Sequence, residues 1–297
     1  MIEDSTNLLV VICDTNPGWW ANHDAVNDEK SSFKHCMESL LVFCNSHIMI
    51  NHTNKLVFIA CHPNECCVVY PTQNTAKTDS NESNSSKDGK FEAFVDMNNI
   101  VMSKLQEMVK QENPDDTTSA VQPLLLSGAL TKALCYIHNH SVTKDGCARI
   151  FIMKASPDTS AQYMSIMNCI FAAQKKRVVI DSCSLLRHSG FLQQASDITD
   201  GTYFNVENLS GMLEYLLWVF LPEPAFRSKL HVPSALQIDY RAACFCHKQL
   251  VDVGFVCSVC LSIYCQFMPK CLTCQTRFKL PQLSMCKPKK RRKDITA

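Results

Sequence analysis

The residues with the most chemistry to offer lie near the end of the sequence. Cys257-Ser-Val-Cys260 and Cys271-Leu-Thr-Cys274 are two Cys-x2-Cys pairs ten residues apart. Together they can bring four thiolates to the corners of a tetrahedron, the geometry zinc adopts with Zn–S bonds of about 2.3 Å. Four protein ligands leave no open position, so the spacing predicts a structural zinc site rather than a catalytic one. So short a segment cannot enclose a hydrophobic core, and metal binding would supply much of its folding free energy.

Four more residues of ligand type interleave with these pairs. Cys244, Cys246 and His247 precede the first pair, and Cys265 stands between the two. The order resembles a cross-brace, in which alternate ligand groups share metals, and on that reading they form a second zinc site. A full cross-brace expects two ligands in the third group, where this sequence has Cys265 alone. On the other reading Cys265 is a core residue and Cys244-Phe-Cys-His247 a turn. Cys286 stands apart and is not expected to be a ligand.

The remaining ten of the 18 cysteines are scattered through residues 13–183, mostly singly and within apolar runs. There they are expected to be small buried hydrophobes. The opening Met1-Ile-Glu-Asp-Ser-Thr-Asn lacks the basic start of a secretory signal. The longest strongly apolar stretch, Leu213 to Leu221, falls short of the roughly 20 residues a membrane span needs. A reducing compartment is therefore expected, where clustered cysteines bind metal rather than form disulfides.

Net charge is +1, so no global field calls for nucleic acid or an acidic membrane. One run departs from that neutrality: Lys287, Lys289, Lys290, Arg291, Arg292 and Lys293 surround a single Pro288. Exposure and charge density suffice for a nuclear import signal, which places the protein in the nucleus. A salt-sensitive contact with nucleic acid is the lesser reading, because no base-stacking aromatics accompany a basic face.

What must position these residues is an α/β scaffold. Apolar runs at 7–13, 55–61, 149–153 and 177–181 read as strands covered on both faces, as in a parallel sheet. Residues 67–70 suit an antiparallel edge strand. Helical stripes follow Leu126, Leu130, Ala133, Leu134 and Ile137; Tyr163, Ile166, Met167 and Ile170; and Leu209, Met212, Leu213, Leu216, Leu217 and Phe220. Phe33 to Ile50 is a further expected helix. The alternation predicts a doubly wound α/β domain with a mostly parallel sheet over residues 1–221, interrupted by polar loops at 72–90 and 111–123. A linker at 222–240, a zinc-binding module at 241–286 and a basic tail at 287–297 complete the expected organisation.

Function in such a sheet belongs at the carboxyl edge of its strands. The loop after the first strand, Asp14-Thr-Asn-Pro-Gly18, has no glycine-rich phosphate cradle. It resembles the metal-ion-dependent adhesion loop of von Willebrand A domains, Asp-x-Ser-x-Ser, whose oxygens hold a divalent cation. Here Asp14 is kept, but Asn16 and Gly18 replace the two serines. Lys154-Ala-Ser156 stands where such domains often carry Thr-Asp-Gly. The loop is expected to hold no physiological metal. No serine sits in a Gly-x-Ser-x-Gly elbow, His138 and His140 read as solvated or capping, and Cys66, Cys67 and Cys183 read as inert thiols.

Several segments carry a resemblance to one family. They are Asn7-Leu-Leu-Val, Trp19-Trp20, Asn45-Ser-His47, Asn54-Lys55-Leu56, Ala133-Leu-Cys-Tyr-Ile-His138, Phe171-Ala-Ala-Gln-Lys175 and Tyr215-Leu-Leu-Trp-Val-Phe-Leu-Pro222. Most distinctive is Asp239-Tyr-Arg-Ala-Ala-Cys-Phe-Cys-His247 running into Val256-Cys-Ser-Val-Cys-Leu-Ser-Ile263. In these the chain resembles the smaller von Willebrand A-type subunits (subunit 3) of general transcription factor IIH. The resemblance implies a von Willebrand A-like domain, a four-cysteine zinc finger falling on Cys257, Cys260, Cys271 and Cys274, and no catalytic activity. It also implies partners: other subunits of the factor IIH core, especially the larger von Willebrand A-type zinc-containing one. Transcription initiation by RNA polymerase II and nucleotide excision repair are the implied processes. Two alternatives stand beside it, a RING-like ubiquitin ligase component and a direct DNA-binding zinc protein.

Overall fold

The computed structural model describes residues 7–27, 32–51, 53–72, 89–110, 123–140, 147–159, 162–227, 229–230, 238, 240–247 and 249–278. The basic run 287–293, Cys286 and most of the two polar loops lie outside them. The chain divides into two compact units, Met1–Tyr240 and Arg241–Ala297.

Unit one is built on a six-stranded sheet. Its strands are β1 (Asn7–Asp14), β2 (Lys55–Cys61), β3 (Cys66–Tyr70), β4 (Cys147–Lys154), β5 (Val179–Leu185) and β6 (Tyr203–Val206), in the order β3-β2-β1-β4-β5-β6. Only β3 runs antiparallel, beside β2; the other neighbours are parallel. Every residue of β1 is buried, as its unbroken apolar run requires of a central strand between two helical layers. This is the von Willebrand A-like arrangement that the resemblance implies.

Around the sheet lie α1 (Pro17–Asn27), α2 (Ser32–Ile50), α3 (Gly89–Lys110), α4 (Leu126–Asn139), α5 (Tyr163–Lys175), α6 (Gly190–Ile198), α7 (Met212–Tyr215) and α8 (Pro224–Arg227). Leu9, Val11 and Cys13 of β1 share one core with Met37, Leu40 and Phe43 of α2, Met97, Val101 and Leu105 of α3, and Met212 of α7. Phe151 of β4 joins the layers there, with its ring centroid 5.0 Å from that of Phe43 and 4.9 Å from that of Phe220. The stripes expected on α4 and α5 are all buried. Among the described residues no helix is long and apolar enough to cross a membrane.

Several expectations need correction. The fourth expected strand starts at Val179 rather than Arg177, because Arg177 has φ of 57° in the turn that leaves α5. Four helices, α1, α3, α6 and α8, and the edge strand β6 have no counterpart in the sequence reading, which placed a linker where α8 lies. The first turn of α3, from Gly89, overlaps the segment read as a loop at 72–90. The stripe ending at Phe220 is also altered. After α7 the chain widens into a π turn over Leu216–Phe220, with the amide of Leu221 donating to the carbonyl of Leu216 at 3.0 Å. That wider turn buries Val219 instead of Leu217 and leaves Trp218 exposed.

The amino edge of the sheet holds a buried ionic knot. Arg227 of α8 contacts both carboxylate oxygens of Asp181 on β5, at 2.5 and 2.6 Å. Arg149 of β4 donates to the carbonyls of Phe220, Leu221 and Pro222, which terminate the π turn. Residues just past Leu221, in the stretch read as a linker, are thereby fixed to the first unit. Close by, Thr202 donates to Asp181 across Gly201, where a Cβ would sit 2.0 Å from the carbonyl oxygen of Ile180.

Candidate metal centre

Unit two contains two minimal hairpins, β7 (Ala242–Ala243) with β8 (Leu250–Val251) and β9 (Phe255–Val256) with β10 (Ile263–Tyr264). Strands of two residues have no stability of their own. Their two loops, and a third turn closed by the isolated bridge of Lys270 with Arg277, bear the ligands and share one backbone design. The amide of Cys244 donates to the carbonyl of Gln249 at 2.9 Å, that of Cys257 to Ser262 at 2.9 Å, and that of Cys271 to Thr276 at 2.8 Å. In the second and third loops an amide four residues on also returns to the cysteine carbonyl, from Leu261 at 2.9 Å and Gln275 at 3.0 Å.

This folding gathers eight side chains into two clusters among the described residues. Cys257, Cys260, Cys271 and Cys274 form one, and Cys244, Cys246, His247 and Cys265 the other; in each, the ligand atoms lie within 4.8 Å of one another. A tetrahedron with Zn–S bonds of about 2.3 Å has S···S edges of about 3.8 Å. In the first cluster Cys257 and Cys274 are separated by 3.7 Å, and Cys260 and Cys271 by 3.5 Å. The donor set and spacing therefore fit a tetrahedral ion, and either cluster could hold a metal.

The sulfurs of the first cluster are supported from behind. Tyr264, buried at 4% exposure, contacts Cys271 Sγ through its hydroxyl at 3.2 Å and accepts from the amide of Thr273 at 3.2 Å. The Cys274 amide donates to the same sulfur at 3.5 Å. Burial opposes ionisation of this thiol, but these donors outweigh it and hold Cys271 down to about 5. It is poised as the thiolate a metal requires. Ser262 bridges the cluster's loops, touching Cys260 Sγ at 3.1 Å and donating to Thr273 at 3.0 Å.

In the second cluster, Cys246 and Cys265 are 3.4 Å apart, and His247 Nδ1 lies 3.2 Å from each of their sulfurs. The cross-brace interleaving is present, but as three ligands from the first group and one from the third instead of two and two. Cys265 is partly exposed and meets Cys246 and His247, which departs from its reading as a core residue. The sequence offered no signal for Tyr264 as a support, since nothing in its spacing marks it from the other aromatic residues.

At the carboxyl edge of unit one the Asp14 carboxylate is committed to backbone. It accepts from the amides of Asn16 at 3.0 Å, Ala155 at 3.1 Å and Ser156 at 2.7 Å. Asn16 Oδ1 accepts from the Trp19 amide at 3.3 Å, so it caps α1, and Gly18 lies within that helix. Buried Lys154 pairs with Asp158 at 2.5 Å, and Asp158 also accepts from Ser189 at 2.7 Å. Oxygens of the kind that would serve a cation here fasten the loop.

The scattered cysteines follow expectation at Cys13, Cys36, Cys44, Cys61, Cys66 and Cys183, which are buried, but Cys135 and Cys147 are exposed. Burial pushes the Cys183 thiol far up. The hydrogen bond between the thiols of Cys61 and Cys66, 3.8 Å apart, pulls Cys66 down against the effect of burial, and the Cys66 thiol also donates to the Leu125 carbonyl at 3.1 Å. His138 is exposed, and His140 stacks on Tyr136 at 4.0 Å and closes α4.

The model of the transcription factor Tfb4 family matches residues 6–275. The chain is 35% identical to general transcription and DNA repair factor IIH subunit tfb4 of Schizosaccharomyces pombe, across 95% of this chain and 92% of that one. It is also 35% identical to the TFB4 subunit of the same factor from Arabidopsis thaliana, across 99% and 97% of the two chains. Among solved structures, the crystal structure of the TFIIH p34 N-terminal domain aligns with a TM-score of 0.56 and 28% identity, covering 74% of this chain and all of that one. With a sheet of this order and a family match reaching into the cysteine-rich unit, the chain belongs to the transcription factor Tfb4 family.

Proposed function

We propose that this protein is a non-catalytic scaffold subunit of the core of general transcription factor IIH. Its relatives are named as subunits of that general transcription and DNA repair factor, over nearly the whole of both chains. The observation that supports partner contact without a bridging cation is the fate of Asp14. Its carboxylate is spent on three backbone amides, so the loop where von Willebrand A domains bind a cation is turned to internal fastening. Partner binding then proceeds through protein surface, not through a bridging ion.

In this reading Cys257, Cys260, Cys271 and Cys274 hold a structural zinc, which supplies the cross-link that two-residue strands lack. The partners are other subunits of the factor IIH core, above all the larger von Willebrand A-type zinc-containing subunit. The protein works in the nucleus, in initiation by RNA polymerase II and in nucleotide excision repair. The basic residues Lys287 to Lys293 would serve its import. The ligase alternative gives way to the names its relatives bear, and DNA contact is at most indirect.

Co-expression of the full chain with the larger von Willebrand A-type subunit tests this proposal. A stoichiometric complex that survives gel filtration is expected. Failure to co-purify with any core subunit of the factor would sink the scaffold reading.

A further inference from the structure

We infer that Cys244, Cys246, His247 and Cys265 form a second zinc site, of three thiolates and one imidazole, and that it is the more exchangeable of the two.

The donor geometry carries the first half. Three sulfurs and His247 Nδ1 converge within 4.8 Å of one another. For a Zn–S bond of about 2.3 Å and a Zn–N bond of about 2.05 Å, a tetrahedral S···N edge is about 3.6 Å. The distances of 3.2 Å from His247 Nδ1 to both Cys246 and Cys265, and 3.4 Å between those sulfurs, are slightly contracted versions of these edges. A disulfide between Cys246 and Cys265 would leave Cys244 and His247 aimed at the same point without a purpose. An apolar core is no better account, because Cys246 and Cys265 are only partly buried and His247 is exposed.

Chain connectivity supplies the second argument. The β7–β8 hairpin contains only the pairs Ala242–Val251 and Ala243–Leu250, and an isolated hairpin of that size does not persist in water. Its loop is tied to the rest of the unit by the Phe245 amide, which donates to the Ile263 carbonyl at 2.8 Å. Cys265 follows β10 directly, so a metal bridging it to Cys244, Cys246 and His247 fastens the first loop to that strand. Tyr264, the preceding residue, points the other way and supports Cys271 in the four-cysteine cluster. One dipeptide thus faces both sites.

Exposure carries the exchange order. In the four-cysteine cluster Cys257 and Cys271 are buried and Tyr264 and Ser262 cover the sulfurs; in the second cluster only Cys244 is buried. Water and chelators therefore reach the second site first.

This inference uses the four-cysteine zinc only as its reference, so the experiment must separate the two sites. Zinc would be counted on the full chain by native mass spectrometry, and cobalt substitution would report the ligand sets. Two metals per chain are expected, falling to one in Cys265→Ser with His247→Ala, with loss of the three-sulfur cobalt bands. His247→Cys should restore two metals with a four-thiolate spectrum. In a chelator challenge the first zinc to leave should be the one missing from Cys265→Ser. One zinc per chain in the folded parent, or two retained in the double variant, overturns the second site. Loss of the four-cysteine zinc first overturns the exchange order. No zinc in Cys257→Ser with Cys260→Ser would count against independence of the sites, whereas one would confirm that the second fills on its own.

Discussion

Leu261 and Gln275 occupy the same place in two equivalent loops. Each follows the second cysteine of a Cys-x2-Cys pair, each donates its amide to the first cysteine's carbonyl, and each has positive φ, 60° and 62°. A Cβ at that angle crowds its own backbone, so glycine is the natural occupant. Both positions are exposed, so the side chains offset little of that strain.

Gln275→Gly should therefore stabilise the metal-loaded chain by about 0.5–1 kcal/mol, the strain relief being partly offset by greater freedom of the unfolded chain. Gln275→Val should destabilise it by at least as much, since a branched Cβ suffers most at positive φ. Thermal unfolding at fixed zinc concentration reads both. A glycine variant less stable than the parent would mean the loop is not held in this conformation.

These loops also mark how far the sequence could be read. Four cysteines at regular spacing selected one cluster outright, because the Cys-x2-Cys repeat is itself the geometry of a ligand-bearing turn. Cys265 was ambiguous for a physical reason: its partners are 18 to 21 residues away, and only the register of β9 with β10 decides which way it faces. Strands β1, β2, β4 and β5 were legible because apolar runs without alternation have few alternatives, whereas the short edge strand β6 was not. By contrast α3 hides its buried residues Met97, Val101, Leu105 and Met108 among polar neighbours beside a polar loop. The knot of Arg149, Asp181 and Arg227 left no trace at all, since its members are 32 and 46 residues apart and each looks like a surface charge.

That knot yields a stability prediction. Asp181→Ala would leave two buried guanidinium groups, Arg149 and Arg227, without their carboxylate, and should cost about 3–5 kcal/mol. Replacing both Asp181 and Arg227 by leucine and methionine should cost distinctly less than replacing Asp181 by leucine alone, because only Arg149 would then be left without the carboxylate instead of both guanidinium groups. Urea unfolding of the full chain measures both. Additive losses would show that the pair is not coupled.

His47 makes stability depend on pH. It is buried, and desolvation together with the nearby Arg149 charge lowers its pKa from 6.5 to about 4. In the unfolded chain the imidazole takes up a proton near its ordinary value, while the folded chain refuses it until about 4. Between those values the unfolded state binds more protons, so stability falls as pH drops through this window and is fully present above it. The contribution is at most roughly 3 kcal/mol. His47→Gln should flatten the slope of unfolding free energy between pH 6.5 and 4 relative to the parent. An unchanged slope would mean that His47 is protonated in the folded state.

Tyr264→Phe tests whether support behind a ligand matters as much as the ligand. The hydroxyl is one of the donors that keep the Cys271 thiol low, and its removal also leaves the Thr273 amide without its acceptor. With fewer donors the sulfur holds its proton more tightly, so protons compete better with metal. Zinc affinity should fall by about 10–100-fold, as is usual when a ligand's hydrogen-bonding support is lost. The pH at which the four-cysteine site releases zinc should move upward, since a more basic thiol is protonated earlier as pH falls. A chelator competition followed across pH reads both effects. Phenylalanine fills the same buried space, so an unfolded unit at high zinc would be unexpected, and an unchanged release profile would show that the amides of Cys274 and Thr273 and the Cys260 thiol set the character of this sulfur without the tyrosine.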